Sequence, residues 1–186
     1  VAAGIKPVLG ATLRIREIYT SLGKVELSKI AVVAKNNQGY KRLMELISIA
    51  RTEKEEPNYH IDLDDVSASQ EGLWFILPGN EHEFGQAIRA GRLDQAEEIL
   101  DKYLSVAPAK TWLCELLLPL SGDSTEQLLS WNRELVALCK KKGLRYIVSP
   151  APRYLEAGDS EAFRTIIAIR DQVKLYDIEL QRDSYL

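Results

Sequence analysis

Two histidines and a scatter of carboxylates are the side chains of this sequence best suited to acid–base or metal chemistry. His82 stands between Glu81 and Glu83, directly after an apolar run closed by Pro78-Gly79-Asn80. A hydrolytic metal centre needs several His, Asp or Glu side chains converging from different segments. One histidine with flanking glutamates falls short of that, and at a helix start His82 fits capping better than ligation. His60 lies in a polar stretch and reads as a surface residue. Glu115 sits inside the apolar run WLCELLL, with Leu113 and Leu117 on its face at the two-residue period of a strand. Burial there would raise its pKa and suit a general acid or base. A hydrogen bond to neighbouring backbone, or pairing with Lys or Arg, explains it more simply.

Other chemistries lack their residues. There is no GxxxxGK[ST] loop and no GxGxxG after a strand, so no phosphate cradle of either kind is encoded. Ser121 has no G-x-S-x-G setting. The run Lys140-Lys141-Lys142 before Gly143 reads as cations complementing a helix carboxyl end. Cys114 and Cys139 lie in separate apolar runs and read as reduced core thiols, which favours a cytoplasmic protein.

The elements that must position these residues alternate in type. Residues 6–15 read as a strand in which Gly10 marks a bulge or close backbone approach. The run IAVVA (30–34) reads as a strand covered on both faces. Asn36-Asn37 then offers an N-cap to a helix carrying Tyr40, Leu43, Met44, Ile47 and Ala50 on one face. Residues 52–70 are polar and read as a loop or short insertion. LWFIL (73–77) is a further strand, followed by a short helix over 82–90 and, past Gly91, another with Leu93, Ala96, Ile99, Leu100 and Tyr103 together. A strand over 112–118, a long helix from Ser124 to the lysine run, a strand over 146–149 and a last helix with Phe163, Ile166, Ile167 and Ile169 complete the series. Strand–helix alternation predicts parallel strands joined by helical crossovers, with chemistry at the strand carboxyl ends.

Composition bounds the rest. The 186 residues suit one domain, and a net charge of −3 supplies no global basic field for nucleic acid. No apolar run approaches the roughly 20 residues that span a bilayer, so no membrane partner is expected. The opening Val1-Ala2-Ala3-Gly4 reads as the end of a helix with a Gly stop, which suggests that the sequence begins inside a larger protein.

Five blocks carry a resemblance. GIKPVLGATLRI (4–15), IAVVAKNNQGYKRLMELIS (30–48), EGLWFILPGN (71–80), LCELLLPLSGDSTEQ (113–127) and RYIVSPAPRYLEAGDSEAF (145–163) resemble, in order and approximate spacing, segments of the PHP domain of bacterial DNA polymerase III alpha subunits. The resemblance implies an α/β fold, a PHP-type distorted β/α barrel of mostly parallel strands with surrounding helices. Residues 1–186 would form a single PHP-like domain fragment, with the first strand–helix units upstream and polymerase domains downstream of 186. Family members with a full site hold several metal ions on His, Asp, Glu and Cys at the strand ends and hydrolyse phosphoesters. Carried over position by position, those ligands fall on Thr12, Asn80, Pro119, Ala151 and Arg153, and the first His-x-His motif would precede Val1. Thr, Asn, Pro, Ala and Arg cannot hold a multimetal cluster, so no catalytic, metal or cofactor-binding residue is expected. Neutral or cationic side chains would fill the site instead.

The expected role is therefore a domain without chemistry of its own, supporting a replicative polymerase. Its partners would be the rest of the alpha subunit and the proofreading exonuclease subunit, with DNA contacted through the parent polymerase. Two alternatives remain open at this point. One is a stand-alone metal-dependent phosphoesterase or exonuclease of PHP type, with a rearranged site built from Glu81, His82, Glu115, Asp123 and Asp159. The other is a free-standing interaction module.

Overall fold

Strand alternation in the first half of the chain produces an antiparallel hairpin rather than a crossover. The computed structural model describes residues 4, 6–19, 26–52, 59–119, 123–149 and 154–177. β1 (Gly10–Arg16) and β2 (Leu27–Ala34) pair antiparallel, because residues 17–26 are too few for the dozen or so residues a parallel crossover needs. β2 also runs antiparallel to β3 (Leu73–Leu77), whereas β3, β4 (Trp112–Glu115) and β5 (Arg145–Ile147) are parallel. The sheet order is β1-β2-β3-β4-β5. The expectation of mostly parallel strands is corrected, because β2 opposes both its neighbours; the sheet formed by the described residues is open, one of the two arrangements that strand–helix alternation allows.

The reversal of β2 moves one segment to the other end of the sheet. Lys35, Asn36 and Asn37 follow β2, but they lie at the edge where β3 begins, and Lys35 N donates to the Gly72 carbonyl at 2.9 Å. They are therefore not at the edge expected to carry chemistry. Asn36 Oδ1 accepts from Gly39 N at 2.9 Å and starts α1 (Asn37–Thr52). Gly39 packs directly on Gly72, where a Cβ would fall 1.9 Å from the Gly72 oxygen. α1 and α2 (Leu63–Ser69) thus leave and return to the same edge.

Of residues 52–70, which read as a loop or short insertion, the described residues 59–69 take regular structure through two devices that periodicity does not reveal. Ile61 bridges Ile15 in parallel, exchanging hydrogen bonds with Arg14 and Arg16. Asp62 and Asp65 close a capping box on α2, a helix too short to display a repeat.

α3 (Glu83–Arg89) and α4 (Leu93–Val106) are separated by Gly91 at φ 70°, as its type predicts. β4 stops at Glu115, short of the expected 118, because the Asn132 side chain bonds both Leu117 N (2.8 Å) and Leu117 O (3.0 Å) and takes the chain out of the ladder. α5 (Thr125–Lys142) begins with a Ser124–Gln127 capping box and ends on Gly143 at φ 68°. Lys141 and Lys142 reach Glu97 and Asp101 of α4, so the lysine run also ties two helices together.

One core lies on one face of the sheet. Ile15, Ile30, Val32, Phe75, Leu77, Trp112 and Cys114 meet Leu43, Leu46, Phe84, Ile99, Tyr103, Leu135 and Cys139 from the helices. The opposite face presents Thr12, Arg14, Lys29, Trp74 and Arg145. IAVVA is accordingly buried on one face only: Ile30 and Val32 are enclosed, Ala31 and Val33 half-covered. α6 (Ser160–Asp171) packs chiefly on the short turns flanking it, so Ile166 and Ile169 are exposed and Ala168 is its buried residue. Among the described residues no helix is long and apolar enough to cross a membrane.

Candidate functional site

The carboxyl ends of β1, β3, β4 and β5 and the start of β2 share one edge. Four clusters occupy it, each closed by hydrogen bonds.

The first is centred on Arg89, at the last turn of α3. Its Nη1 donates to Asp123 Oδ2 at 2.7 Å, and its Nη2 to Asn80 Oδ1 at 3.1 Å and to the Leu118 carbonyl at 2.7 Å. Its guanidinium also lies 4.6 Å from the Trp131 ring centroid. Asn80 in turn bonds Leu118 on both sides, donating to its oxygen at 3.1 Å and accepting from its nitrogen at 3.3 Å. The loops after β3 and β4 are thereby pinned to each other and to α5 by one cation and one amide.

His82 forms the second. It is fully buried as the N-cap of α3, with Nδ1 accepting from Phe84 N at 3.2 Å. Nε2 lies 2.9 Å from the Tyr103 hydroxyl. With Nδ1 an acceptor, the neutral ring carries its proton on Nε2 and has no lone pair left for a ligand. Burial lowers its pKa to about 3. His82, Tyr103, Trp112 and Phe75 stack in sequence at 5.1–5.2 Å centroid spacing, carrying the edge into the core.

The third is Glu83. Its carboxylate accepts from Ile18 N at 3.0 and 3.1 Å and from Tyr19 N at 3.3 Å, and is only 5% exposed. Its own N–H donates to Ser28 Oγ, whose hydroxyl donates to Glu17 at 2.6 Å. Burial raises the Glu83 pKa to about 7, with the Glu17 charge adding to the rise against the backbone donors.

Glu115, the fourth, accepts from Gly79 N at 3.3 Å, and burial raises its pKa. Both the raised pKa and the hydrogen bond to neighbouring backbone are found, and the Ser149 side chain bonds it as well.

The remaining residues singled out from the sequence are dispersed. Glu81 is exposed and pairs with Lys29. Asp159 accepts from Glu156 N at 3.2 Å at the start of α6. Thr12 is exposed in the middle of β1, opposite Ala31, and Pro119 is exposed beyond β4. Ala151, Arg153 and Ser121 lie outside the described residues. His60, expected at the surface, is 5% exposed, because the Ile61 bridge draws it in and Arg16 Nη2 lies 3.2 Å from its Nε2. Among the described residues no three His, Cys, Asp or Glu side chains gather to hold a metal ion.

Two residues central to these clusters, Arg89 and Glu83, carry no distinguishing signal in the sequence. Arg89 looks like any basic residue in a last helical turn, and Glu83 like any acid in a first turn; neither position signals burial. Among the described residues the donor set at this edge does not suit a multimetal cluster: Asn80 offers an amide, a guanidinium lies between the loops, and the His82 imidazole has both nitrogens engaged.

Comparison with known proteins bears on this edge. The family described as PHP domain matches residues 1–117. The chain is 29% identical over 178 residues to the DNA polymerase III subunit alpha of Pseudomonas fluorescens, covering 95% of this chain and 14% of that one. It is 29% identical over 186 residues to the same subunit of Escherichia coli (strain K12), covering 97% and 15%. For Bacillus subtilis (strain 168) the figures are 23% over 179 residues, 95% and 15%. The chain therefore spans only 14–15% of the length of these relatives.

Proposed function

The chain belongs to the PHP domain family, and from that premise we propose that it is a catalytically silent PHP domain of a replicative DNA polymerase III alpha subunit. In this reading it holds the polymerase body and offers a docking face to the proofreading exonuclease, while polymerisation and DNA contact belong to the parent protein. The open five-stranded sheet is then part of the family's distorted barrel, consistent with helices confined to one of its faces.

The observation that carries the reading is the Asn80–Arg89–Asp123 clamp. A metal cluster at this edge works by concentrating negative and neutral donors around a cation. Here a fixed guanidinium sits between the same loops and satisfies Asn80, Asp123 and the Leu118 carbonyl. It supplies the cross-link that a metal would supply, without an exchangeable water to act as nucleophile. The five carboxylate and histidine candidates of the phosphoesterase alternative do not converge, so no observation favours that reading.

Elemental analysis of the purified chain, with phosphodiesterase assays in Mn²⁺ and Zn²⁺, tests the silence. Stoichiometric metal or metal-dependent hydrolysis would overturn it. Co-purification of the chain with the exonuclease subunit tests the docking role, and failure to recover a complex would remove it.

A further inference from the structure

The helix-bearing face of the sheet has an uncovered corner. Tyr146 on β5 pairs with Cys114 on β4 and shares its face, the one that carries the core. Leu144, Tyr146 and Val148 alternate onto that face, and cover fails along them: Leu144 is enclosed, Tyr146 is 43% and Val148 67% exposed. α5 borders the gap. Its Trp131, Lys141 and Lys142 turn one side toward Arg89 of α3 and toward Glu97 and Asp101 of α4. At about 100° per residue, Leu129, Asn132, Val136 and Lys140 fall on the other side, where β5 lies. They line a shallow groove of about 440 Å³, and Leu129 is half-exposed in it.

α6 is the reciprocal case. It is a 12-residue helix whose packing is confined chiefly to the turns beside it. A helix that short is marginal in water unless an amphipathic face is packed. Its outward face carries Ala162, Ile166 and Ile169 at i, i+4 and i+7, with Ile166 63% and Ile169 73% exposed. We propose that α6 is a strap that closes onto this corner, laying Ile166 and Ile169 between Val136 of α5 and Tyr146 of β5. The two surfaces match in length: residues 129–140 and 160–171 each run about 16–18 Å along a helix. β4, α5 and β5 form a parallel crossover, and a helix leaving β5 with the same hand falls on the same face, beside α5. About a dozen residues separate β5 from α6, ample for the movement at up to about 3.5 Å each. Closure takes Leu129, Tyr146, Val148, Ile166 and Ile169 out of water together, which is its driving force. It depends neither on the Arg89 clamp nor on whether the domain is silent.

The test is amide hydrogen exchange of the 186-residue chain, read by mass spectrometry over α1, α5 and α6. With the strap closed, α6 amides should exchange at least about tenfold more slowly than those of a free peptide of the same sequence. Ile169→Asp should abolish that protection. Val136→Asp, on the other helix, should abolish it in α6 as well, while Val136→Ile should keep it. α1 amides should be unchanged in each variant, which separates release of the strap from global unfolding. Where Val136→Asp disturbs α1, Leu129→Asp, at a half-exposed position of the same groove, reads the same contact. Exchange of α6 at the free-peptide rate in the parent chain, or α6 protection that survives the α5 substitutions, would overturn the proposal. So would protection that rises with chain concentration, which would put the α6 of a second copy in the corner.

Discussion

Asn80 Oδ1 accepts from Arg89 Nη2 at 3.1 Å, and this contact ties the loop after β3 to the last turn of α3. The bond joins residues nine apart across the start of α3, and the same guanidinium reaches Asp123 and Leu118.

Replacing Arg89 should therefore cost more than a surface charge does. The Arg89 and Asp123 side chains are only 15% and 13% exposed, so Arg89→Leu strands a carboxylate and an amide. We expect a loss of about 2–4 kcal/mol in urea unfolding. Arg89→Lys should recover only part of it, because an ammonium lacks the fork that serves three acceptors. A loss below about 0.5 kcal/mol, the range of ordinary surface substitutions, would show that the clamp is ornamental.

A thiol at position 80 should not create a metal site. Asn80→Cys leaves Arg89 in place, and a fixed cation within hydrogen-bond range opposes a dication. Zinc stoichiometry of the variant should match that of the parent chain by elemental analysis; a gain of one equivalent would contradict this account.

Adjacent residues His82 and Glu83 should give opposed pH dependences. The folded pKa of Glu83, about 7, lies above its ordinary 4.5. Its contribution is full below 4.5 and is lost as pH rises through 7. The folded pKa of His82, about 3, lies below its ordinary 6.5. That contribution is full above 6.5 and is lost as pH falls toward 3. Between 4.5 and 6.5 the two slopes offset each other in the parent chain. Glu83→Gln removes one slope, so its stability should fall as pH drops through that window, by an amount on the order of 2 kcal/mol. Urea midpoints measured across the window decide it: parallel profiles for variant and parent would rule out Glu83 as the opposing group.

Gly39→Ala probes the turn that returns α1 and α2 to one edge. The added methyl would fall 1.9 Å from the Gly72 oxygen, which is backbone and cannot swing away. A destabilisation above about 2 kcal/mol is expected, against the few tenths to 1 kcal/mol gained when Ala replaces Gly without strain. Thermal unfolding of the variant measures it, and an unchanged midpoint would mean that the two segments separate easily.

Cys114 and Cys139 are both fully buried and hydrogen-bonded to each other, which pushes the Cys114 thiol well up and draws the Cys139 thiol down. Neither should react with a soluble disulfide reagent in the folded chain. The rate should follow the unfolding equilibrium as urea is added, and rapid native-state labelling would point to a local opening between β4 and α5.

Much of the fold was legible because local chemistry dictated it. Ser124 with Gln127, Gly143 after three lysines, and the spacing of Ala96, Ile99, Leu100 and Tyr103 each specify an element through bonds and burial within a few residues. The family blocks likewise located the loops after β3 and β4 that Asn80 and Arg89 join. By itself, then, the sequence determined the longer helices, their ends and the strand cores, but not α2. Strand direction was not determined locally: a strand's alternation is the same whichever way its neighbour runs, and only the short 17–26 link and the Gly39–Gly72 contact set β2 against both neighbours. The burial of His60 and Glu83 and the reach of Arg89 to Asp123, 34 residues away, were likewise decided by tertiary structure alone. Desolvation and ion pairing depend on what the rest of the chain packs around a side chain, and that is fixed only when distant segments meet.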